Sequence, residues 1–364
     1  MTKTKIDVNF IKQLLIEPEK AIEPLNLVYV NNEALSISRI KKQENFEYTS
    51  NGNKISEKHE LERIKSLVIP PAWEGVKITH LTNGHLQATG RDVKRRKQYR
   101  YHPKWIELRS QTKFYKMISF GKVLPKIRKR VDLDLEQKGW PKSKVAALIV
   151  RLMEETHIRI GNEQYAKRNQ TYGLTTLRTK HLSAYQDKLR FEFIGKKGKE
   201  HKITLRNKKL IHLVNRIEEL PGWELFQFYD KDGNKQSVTS TMINNYLHAL
   251  SGSIFSAKDF RTWSASIMFF ENLKNMEKPA SEKQTHKNIL NAFDDTAKAL
   301  GNTRNVCRKS YVHPFIAEAY ENNELTPYFD RADKLKQKDG GLSPSEIAML
   351  DLIKLYKPLK FFQK

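Results

Sequence analysis

The sequence predicts an α+β fold with a β-rich N-terminal part and a larger, mostly α-helical C-terminal part. The first third of the 364-residue chain contains short segments that alternate apolar and polar residues or carry β-branched ones. From about Pro103 onward, apolar residues recur at helical spacing instead. One β-type interruption, over 189–205, predicts a small sheet inside the helical part. We therefore place a domain boundary near residue 112, which gives domains 1–112 and 113–364.

The N-terminal part is predicted to contain strands, a hairpin and one helix. The Asn51-Gly52-Asn53 sequence is typical of a hairpin turn, because Asn and Gly accept a left-handed backbone. Apolar spacing predicts a helix over 57–68, which Pro70 and Pro71 stop. The predicted strands are 27–30, 37–41, 46–49, 76–81 and 85–89.

The C-terminal part is predicted to consist of helices around one hairpin. Amphipathic spacing predicts long helices over 105–131 and 141–158. Two β-type segments, 189–194 and 201–205, flank a turn rich in Gly and Lys. Further helices are predicted to begin near Lys208, Thr239, Ala257, Glu282, Arg304 and Ser345.

The charge balance favours a polyanionic partner. The chain has 66 Lys and Arg against 41 Asp and Glu, a net charge of +25. Nucleic acid is the first candidate and an anionic membrane surface the second. The longest apolar run, 145–150, ends at Arg151, far short of the ~20 residues that a membrane span needs. The first residues also lack an apolar signal core. We therefore expect a cytoplasmic protein that does not bind membranes.

Two kinds of cofactor have no support in the sequence. A single cysteine, Cys307, allows no internal disulfide and no cysteine-rich metal site. The chain also lacks the Gly-x-x-x-x-Gly-Lys-Ser/Thr loop that cradles the phosphates of ATP. We expect neither a metal nor a small-molecule cofactor.

A basic chain of this kind can still break a phosphodiester bond. The reaction needs an in-line nucleophile, cationic donors for the pentacoordinate phosphorus, and a proton for the leaving 5′ oxygen. A covalent phosphotyrosine would also keep the bond energy for resealing. These requirements point to three kinds of residue in the sequence: arginine, lysine and tyrosine.

Two arginines stand out as candidate phosphate-binding groups. Arginine suits this task because its planar guanidinium bonds two phosphate oxygens at once and stays charged. Arg159 lies where a long apolar helix meets Gly161, and Arg261 lies in the segment Lys-Asp-Phe-Arg-Thr-Trp at 258–263. The alternative for each is an ordinary helix-end or surface arginine.

Lys196 is the candidate proton donor, at the turn of the predicted hairpin. A lysine can act as a general acid at neutral pH when nearby cations lower its pKa, and two lysines follow within three residues. A solvated hairpin tip is the alternative interpretation.

Tyr311 is the candidate nucleophile, although it could instead be one of fourteen tyrosines packed on a helix. Cys307 precedes it by four residues and so shares its helix face, which predicts a small buried packing residue. Asn302 lies nine residues earlier, about half a turn out of phase on an unbroken helix. It can share a site with Tyr311 only if 301–303 form a turn before the helix. A plain turn or N-cap role there is equally consistent with the sequence.

The stretch 95–101 is a candidate nucleic-acid contact. Lysine and arginine bind phosphates, whereas Gln98 can bond a base edge, and Tyr99 or Tyr101 can stack on a base or cap a phosphate. A solvated basic strand is the alternative. The residues assigned to this contact are Arg96, Lys97, Gln98, Tyr99 and Tyr101.

Seven segments, weak singly but specific in this order, point to one protein family. They lie at 71–73 (Pro-Ala-Trp), 87–92, 96–102, 169–177, 193–196 (Phe-Ile-Gly-Lys), 260–263 (Phe-Arg-Thr-Trp) and 307–314. Together they resemble the type IB DNA topoisomerases, specifically the small bacterial and poxvirus branch. The resemblance spans about 70–314, most of the chain.

The resemblance implies a role for each candidate residue. Tyr311 would form a 3′-phosphotyrosyl bond, while Arg159 and Arg261 would stabilise the phosphorane. Lys196 would protonate the 5′ oxygen, and Arg159 could share in that relay. Asn302 stands where poxvirus and eukaryotic relatives carry histidine. The bacterial branch also uses Asn there, so the difference does not imply loss of activity.

The resemblance also implies a two-lobed clamp that closes around duplex DNA. The N-terminal lobe would place Gln98, Tyr99 and Tyr101 against the DNA, and the helical lobe would hold the active site. A monomer would relax supercoiled DNA by strand rotation, driven by torsional stress without ATP or a required metal. The tail after about residue 325 has no implied role, although a helix at 345–356 could dock on the catalytic lobe.

Two other functions fit parts of the sequence. A tyrosine site-specific recombinase uses similar catalytic residues, but the β-rich N-terminal part and the Gln-Tyr stretch oppose it. A non-catalytic basic DNA-binding protein would suit the net charge of +25.

Overall fold

The computed structural model describes residues 13–14, 16–22, 25–31, 33–43, 45–252, 255–336 and 341–356. The chain divides into two compact units between Lys116 and Met117, a point inside one long helix, Pro103–Leu135. The other helices are Pro18–Ile22, Lys58–Ser66, Lys142–Thr156, Glu163–Asn169, Lys208–Glu218, Ser240–Ser251, Ala257–Lys274, Glu282–Ala299, Arg304–Ser310, Pro314–Glu321, Thr326–Lys334 and Pro344–Ile353.

The first unit is built on a six-stranded antiparallel sheet. Its strands are β1 Ile37–Lys42, β2 Asn45–Ser50, β3 Asn53–Lys54, β4 Glu74–Ile78, β5 Leu86–Arg91 and β6 Lys97–Tyr101. They follow the order β3-β2-β1-β4-β5-β6 across the sheet, so β3 and β6 form the two edges. Apolar residues of β1, β4 and β5 meet Ile64 of the helix Lys58–Ser66 in a buried cluster.

The second unit is mostly helical and is centred on the helix Ala257–Lys274. Its large aromatic side chains, including Phe269 and Phe270, are fully buried. It packs against the helices Lys142–Thr156, Glu282–Ala299 and Pro344–Ile353. A three-stranded antiparallel sheet and a two-stranded ribbon complete this unit. Their strands are β7 Leu182–Tyr185, β8 Lys188–Ile194, β9 Glu200–Leu205, β10 Gln227–Tyr229 and β11 Lys235–Ser237.

The predicted α+β class with a β-rich N-terminal region is confirmed. The hairpin turn is also confirmed, because Asn51 and Gly52 adopt φ of 48° and 85° between β2 and β3. The predicted hairpin at 189–205 exists as β8 and β9, although β7 adds a third strand. Across the described part of the chain, no helix is both long and apolar enough to cross a bilayer.

Two predicted strands differ from the structure. The segment 27–30 forms only a single bridge, from Val28 to Gly84. The Val30 N–H donates to the ring Nδ1 of His85 at 2.9 Å, so the backbone ladder does not continue. The strand predicted over 76–81 ends at Ile78. Thr79 still donates its N–H to the Gln87 carbonyl at 3.0 Å, but its own carbonyl accepts from Arg63 at 2.7 Å and is not part of the ladder.

Candidate active site

Arg261 lies at the centre of the candidate site. Its side chain is buried, with 8% of the residue exposed, near the start of the helix Ala257–Lys274. Its guanidinium donates to the His157 carbonyl at 2.6 Å and to the Leu300 carbonyl. Both acceptors are neutral, so these bonds fix the guanidinium without cancelling its charge. A buried cation held in this way is prepared for an anion.

The electrostatics of Arg261 reflect this burial. Burial, and then the nearby charge of Arg159, lower the pKa of Arg261 to about 10, while Tyr311 acts in the opposite direction. The group therefore stays protonated at neutral pH. The two guanidinium groups are close enough to lower the stability of each other's charged form. A phosphate bound between or beside them would offset this repulsion.

Arg159 contacts Asn302, which is distant in the sequence. A terminal guanidinium nitrogen of Arg159 donates to the amide oxygen of Asn302 at 2.6 Å. The amide nitrogen of Asn302 is buried and makes no hydrogen bond of standard geometry, although the side chain lies close to the Cys307 thiol. Because Arg159 fixes the amide oxygen, the amide nitrogen remains to donate to a ligand.

Asn302 reaches the site because the chain turns before the next helix. Gly301 has a φ of 60°, a left-handed conformation that favours glycine. Thr303 then caps the helix Arg304–Ser310 by accepting from the Val306 N–H. This is the turn on which the prediction for Asn302 depended.

Tyr311 lies at the C-cap of the helix Arg304–Ser310 and is half-buried. The guanidinium carbon of Arg261 lies 5.2 Å from the centre of its ring. Ser266, on the Arg261 helix, accepts from the His313 N–H at 2.9 Å. Its hydroxyl donates to the Thr262 carbonyl at 3.0 Å and lies 3.4 Å from the Tyr311 carbonyl. The predicted burial of Cys307 is confirmed, with none of its surface exposed.

Lys196 lies at the tip of the hairpin formed by β8 and β9. The tip is closed by a hydrogen bond from the Gly195 N–H to the Lys199 carbonyl at 2.7 Å. The Lys196 side chain is exposed, and the residue borders the same small cleft as Arg159 and Leu300. The hairpin therefore brings an ammonium group to the edge of the arginine site.

The segment Tyr172–Leu174 joins the hairpin to the Arg159 segment. The Tyr172 N–H donates to the Ile194 carbonyl at 2.8 Å, and the Leu174 N–H donates to the Arg159 carbonyl at 2.9 Å. A Cβ on Gly173 would lie only 2.4 Å from that carbonyl oxygen, so glycine is needed for this approach. Close packing against the Arg159 backbone thus explains why glycine occupies position 173, at the centre of the 169–177 pattern.

Two histidines that the sequence analysis did not single out also border the site. His157 ends the helix Lys142–Thr156 in a left-handed conformation, with a φ of 54°, and its carbonyl binds Arg261. Burial, and then the charge of Arg261, lower the pKa of His157 to about 4. Burial, followed by the charges of Arg159 and Arg261, likewise lowers the pKa of His201 to about 4. No sequence motif marks either position.

The tail helix Pro344–Ile353 docks onto the helix that carries Arg261. Glu346 accepts two bonds from Arg128, at 2.7 and 2.8 Å, and one from the Trp263 indole at 2.8 Å. Arg128 also binds Glu154 at 3.0 Å. Burial acts to raise the pKa of Glu346, yet Arg128 and Trp263 together hold it below the ordinary value. Glu346 of the tail helix thus completes a buried ionic network with Arg128. The network contacts the Arg261 helix at Trp263, two residues after Arg261.

The predicted nucleic-acid strip forms β6, an edge strand of the first unit. Lys97, Tyr99 and Tyr101 are exposed on one face, where the two tyrosine rings stack 5.8 Å apart. The ammonium of Lys97 lies 5.5 Å from the Tyr99 ring centre. Alternation along the strand puts Gln98 on the other face.

The structure does not bring Gln98 or Arg96 together with this aromatic face. The Gln98 amide donates to Asp92 at 2.9 Å, and Arg96 forms an ion pair with the same carboxylate at 2.6 Å. These bonds, led by that from Arg96, lower the pKa of Asp92 to about 2. Both side chains are therefore occupied by Asp92.

The second unit brings the five candidate residues from separate segments of the chain into one region. Arg159 bonds to Asn302, the guanidinium of Arg261 lies beside the Tyr311 ring, and Lys196 borders the same cleft as Arg159. Among the described residues, no group of three or more His, Cys, Asp or Glu side chains is placed to hold a metal ion.

Comparisons with family models and with known proteins point to the same family. Residues 102–337 match the family model described as eukaryotic DNA topoisomerase I, catalytic core, and residues 45–92 match bacterial DNA topoisomerase IB, N-terminal domain. A DNA topoisomerase 1B of Acanthamoeba polyphaga mimivirus is 36% identical over 283 residues, which cover 76% of this chain and 84% of the viral protein.

More distant viral relatives are also named DNA topoisomerases. The DNA topoisomerase 1 of Rabbit fibroma virus (strain Kasza) is 27% identical over 63% of this chain and 70% of its own length. The DNA topoisomerase 1B of Vaccinia virus (strain Copenhagen) is 22% identical over 65% of this chain and 73% of its own length. The chain therefore belongs to the type IB DNA topoisomerase family and is a type I topoisomerase, an isomerase that acts on DNA.

Proposed function

We propose that this chain relaxes supercoiled duplex DNA through a transient 3′-phosphotyrosyl bond at Tyr311. The phenol oxygen of Tyr311 attacks the scissile phosphorus, and the bond from phosphorus to the 5′ oxygen breaks. The phenol proton leaves to solvent, and Lys196 donates a proton to the departing 5′ oxygen. The broken strand rotates, and the same steps in reverse reseal it.

The observation that carries this proposal is the position of Arg261. It binds the backbone of the Arg159 segment and of the Asn302 turn, and its guanidinium lies 5.2 Å from the Tyr311 ring centre. A phosphate placed beside the phenol would therefore meet preorganised cationic donors. Such donors stabilise the charge that develops on the phosphorane and need no reorganisation during the reaction.

Asn302 would complete the charge-stabilising set as a neutral donor. Its amide oxygen is fixed by Arg159, which directs the amide nitrogen as a hydrogen-bond donor to a phosphate oxygen. An amide cannot supply the positive charge of a histidine. The two guanidinium groups would carry that part of the task.

Neither ATP nor a metal is required by these steps. The phosphotyrosyl ester keeps the energy of the broken phosphodiester, so resealing needs no external energy source. Torsional stress in the DNA drives the net relaxation. The guanidinium groups supply the charge stabilisation that a metal ion would otherwise give.

We extend the proposal to the DNA contact in the first unit. Lys97, Tyr99 and Tyr101 share an exposed face of β6, which suits contact with phosphates and sugar edges. Arg96 would assist once DNA competes with Asp92 for it, and Gln98 would contact DNA only after leaving the same carboxylate.

We also propose that the chain works on double-stranded DNA as a monomer in the cytoplasm, without a small-molecule cofactor. The net charge of +25 supports a large electrostatic interface with DNA. The candidate catalytic groups all come from one chain, so a second copy is not needed to complete the site.

Relaxation of a supercoiled plasmid with EDTA and without ATP tests the proposal. The wild-type chain should relax a plasmid that lacks any special site. Tyr311→Phe should abolish relaxation but retain most DNA affinity, since one hydroxyl adds little to a charged interface. Tyr328→Phe, in the same unit, is the matched control and should relax normally. Strand exchange confined to paired sites would indicate a recombinase, and binding without relaxation would indicate a non-catalytic protein.

A further inference from the structure

We propose that His201 is a positioning residue whose ring fixes the hairpin tip that carries Lys196 against the turn that carries Asn302. This inference rests on the proposed function, since it assigns His201 a task in the same site. The ring would act through its shape, as a spacer between two backbone segments, and would not itself touch the DNA.

The ring of His201 contacts two glycines from separate segments. A Cβ built on Gly195 would lie 2.5 Å from the ring Cδ2, and a Cβ built on Gly301 would lie 2.4 Å from the ring Cε1. Real Cβ atoms essentially never approach this closely, so a side chain at either position would have to push the ring aside. Gly195 directly precedes Lys196, and Gly301 directly precedes Asn302.

The ring is itself held in place by the hairpin. His201 lies on β9 and is the register partner of Phe193 on β8. Their rings stack with centres 5.0 Å apart and an angle of 15°. The spacer therefore belongs to a rigid part of the sheet, while the residues that it positions lie on turns.

The neutral form of the ring is favoured in this position. Burial and the charges of Arg159 and Arg261 lower the pKa of His201 to about 4, so the ring is uncharged at neutral pH. An uncharged ring can fill the space beside two guanidinium groups without adding a third cation. This agrees with a role in shape, not in proton transfer.

Loss of the ring would open a gap between the two turns. Gly195 and Gly301 would then be free to shift, and the groups that follow them would lose their fixed separation. A misplacement of about 1 Å can cost ~100-fold in rate. A proton donor is sensitive to such a shift only when the leaving group needs a proton. A substrate with sulfur in place of the bridging 5′ oxygen needs none.

The test compares cleavage of a normal and a 5′-bridging sulfur substrate by three proteins. His201→Ala should slow cleavage of the normal substrate about 10- to 100-fold, and its defect on the sulfur substrate should be at least threefold smaller. His201→Phe keeps a ring as the spacer and should retain most of the wild-type rate on both substrates. Equal defects of His201→Ala on both substrates, or equal damage by Phe and Ala, would overturn the inference.

Wild-type protein on the sulfur substrate separates this inference from the proposed function. If the wild type forms no covalent adduct, the proposed function fails whatever His201 does. If the wild type forms the adduct and His201→Ala cleaves both substrates at wild-type rates, only the positioning role fails.

Gly195→Ala provides the same test if His201→Ala does not fold. Gly195 has φ of −97° and ψ of −167°, which alanine adopts without backbone strain, so the added Cβ acts only by pushing the ring. The defect should again be smaller on the sulfur substrate. A normal rate on both substrates would show that displacing the ring is harmless and would contradict the inference.

Discussion

Arg159 donates a hydrogen bond of 2.6 Å to the amide oxygen of Asn302, across 143 residues of sequence. The bond fixes the amide oxygen, while the amide nitrogen is buried and has no hydrogen-bond partner of standard geometry. This geometry leaves the amide nitrogen as the donor that the proposed mechanism requires of Asn302.

The donor role of Asn302 predicts that Asn302→Asp greatly slows DNA cleavage. Aspartate keeps the acceptor for Arg159 but removes the amide donor and adds a negative charge beside the phosphate. We expect cleavage to fall by ~100-fold or more, the typical cost of losing one such donor. Single-turnover cleavage measures this. Asn305→Asp adds the same charge at an exposed site on the next helix and should be nearly normal. An active Asn302→Asp would leave Asn302 only the task of holding Arg159.

Lys196→Ala should be rescued by a substrate that needs no proton. We expect a loss of ~100-fold or more on normal DNA, because general-acid catalysis contributes on this scale. The 5′-bridging sulfur substrate should recover most of that loss. Lys202→Ala, an exposed lysine on β9, is the matched control and should cleave both substrates normally. A loss of the same size on both substrates would remove Lys196 from the role of proton donor.

The face of β6 predicts a change in the salt dependence of DNA binding. Lys97→Ala should reduce the slope of log affinity against log salt by about 0.9, the share of one phosphate contact. Lys54 is exposed on β3, the opposite edge of the same sheet, and Lys54→Ala should leave the slope unchanged. Fluorescence anisotropy with a short duplex at several salt concentrations gives both values. Equal slopes for the two variants would argue against this DNA contact.

The tail helix predicts a large loss of stability on removing one carboxylate. Glu346→Ala removes the bidentate partner of Arg128 in a buried position, although Arg128 keeps Glu154, and we expect a cost of about 2–3 kcal/mol. Asp351→Ala breaks more exposed pairs on the same helix and should cost about 1 kcal/mol or less. Urea unfolding of the two variants compares these free energies. Losses of similar size would mean that the buried network adds no more than a surface pair.

The burial of His157 predicts that the free energy of unfolding decreases as the pH is lowered below neutrality. Its pKa is near 6.5 when unfolded and about 4 when folded, so the folded state disfavours the protonated ring. The stability contribution is complete above pH 6.5 and is lost as the pH falls toward 4, by up to about 3 kcal/mol for this group. Urea unfolding at several pH values measures this decline as a shift of the unfolding midpoint. His157→Asn keeps a residue that accepts the left-handed backbone but removes the titrating ring, so the midpoint should depend less on pH. An unchanged decline would contradict the assignment.

Local patterns in the sequence were enough to predict several elements that carry the site. The Gly and Lys between two β-type runs predicted the hairpin of Lys196, and helical spacing predicted the helix of Arg261. The half-turn offset of Asn302 from Tyr311 required a turn at Gly301, which the structure contains. These features depend on neighbours in the chain.

Other features depend on contacts between distant segments, which local patterns do not record. Burial, together with the charge of Arg261 for His157 and of Arg159 and Arg261 for His201, lowers the pKa values of these histidines, and the arginines lie far from at least one of them in the sequence. The docking of Glu346 on Trp263 joins residues 83 positions apart. The placement of Gln98 away from Tyr99, by contrast, follows from strand alternation and could have been inferred from the sequence.

The most direct measurement maps the residue that carries the phosphate. Detergent added during cleavage of a radiolabelled duplex traps the covalent adduct, and proteolysis with mass spectrometry locates the labelled side chain. The proposed mechanism predicts a 3′-phosphate on Tyr311 and no adduct from Tyr311→Phe. A label on any other residue, or an adduct that survives the Tyr311→Phe change, would contradict it.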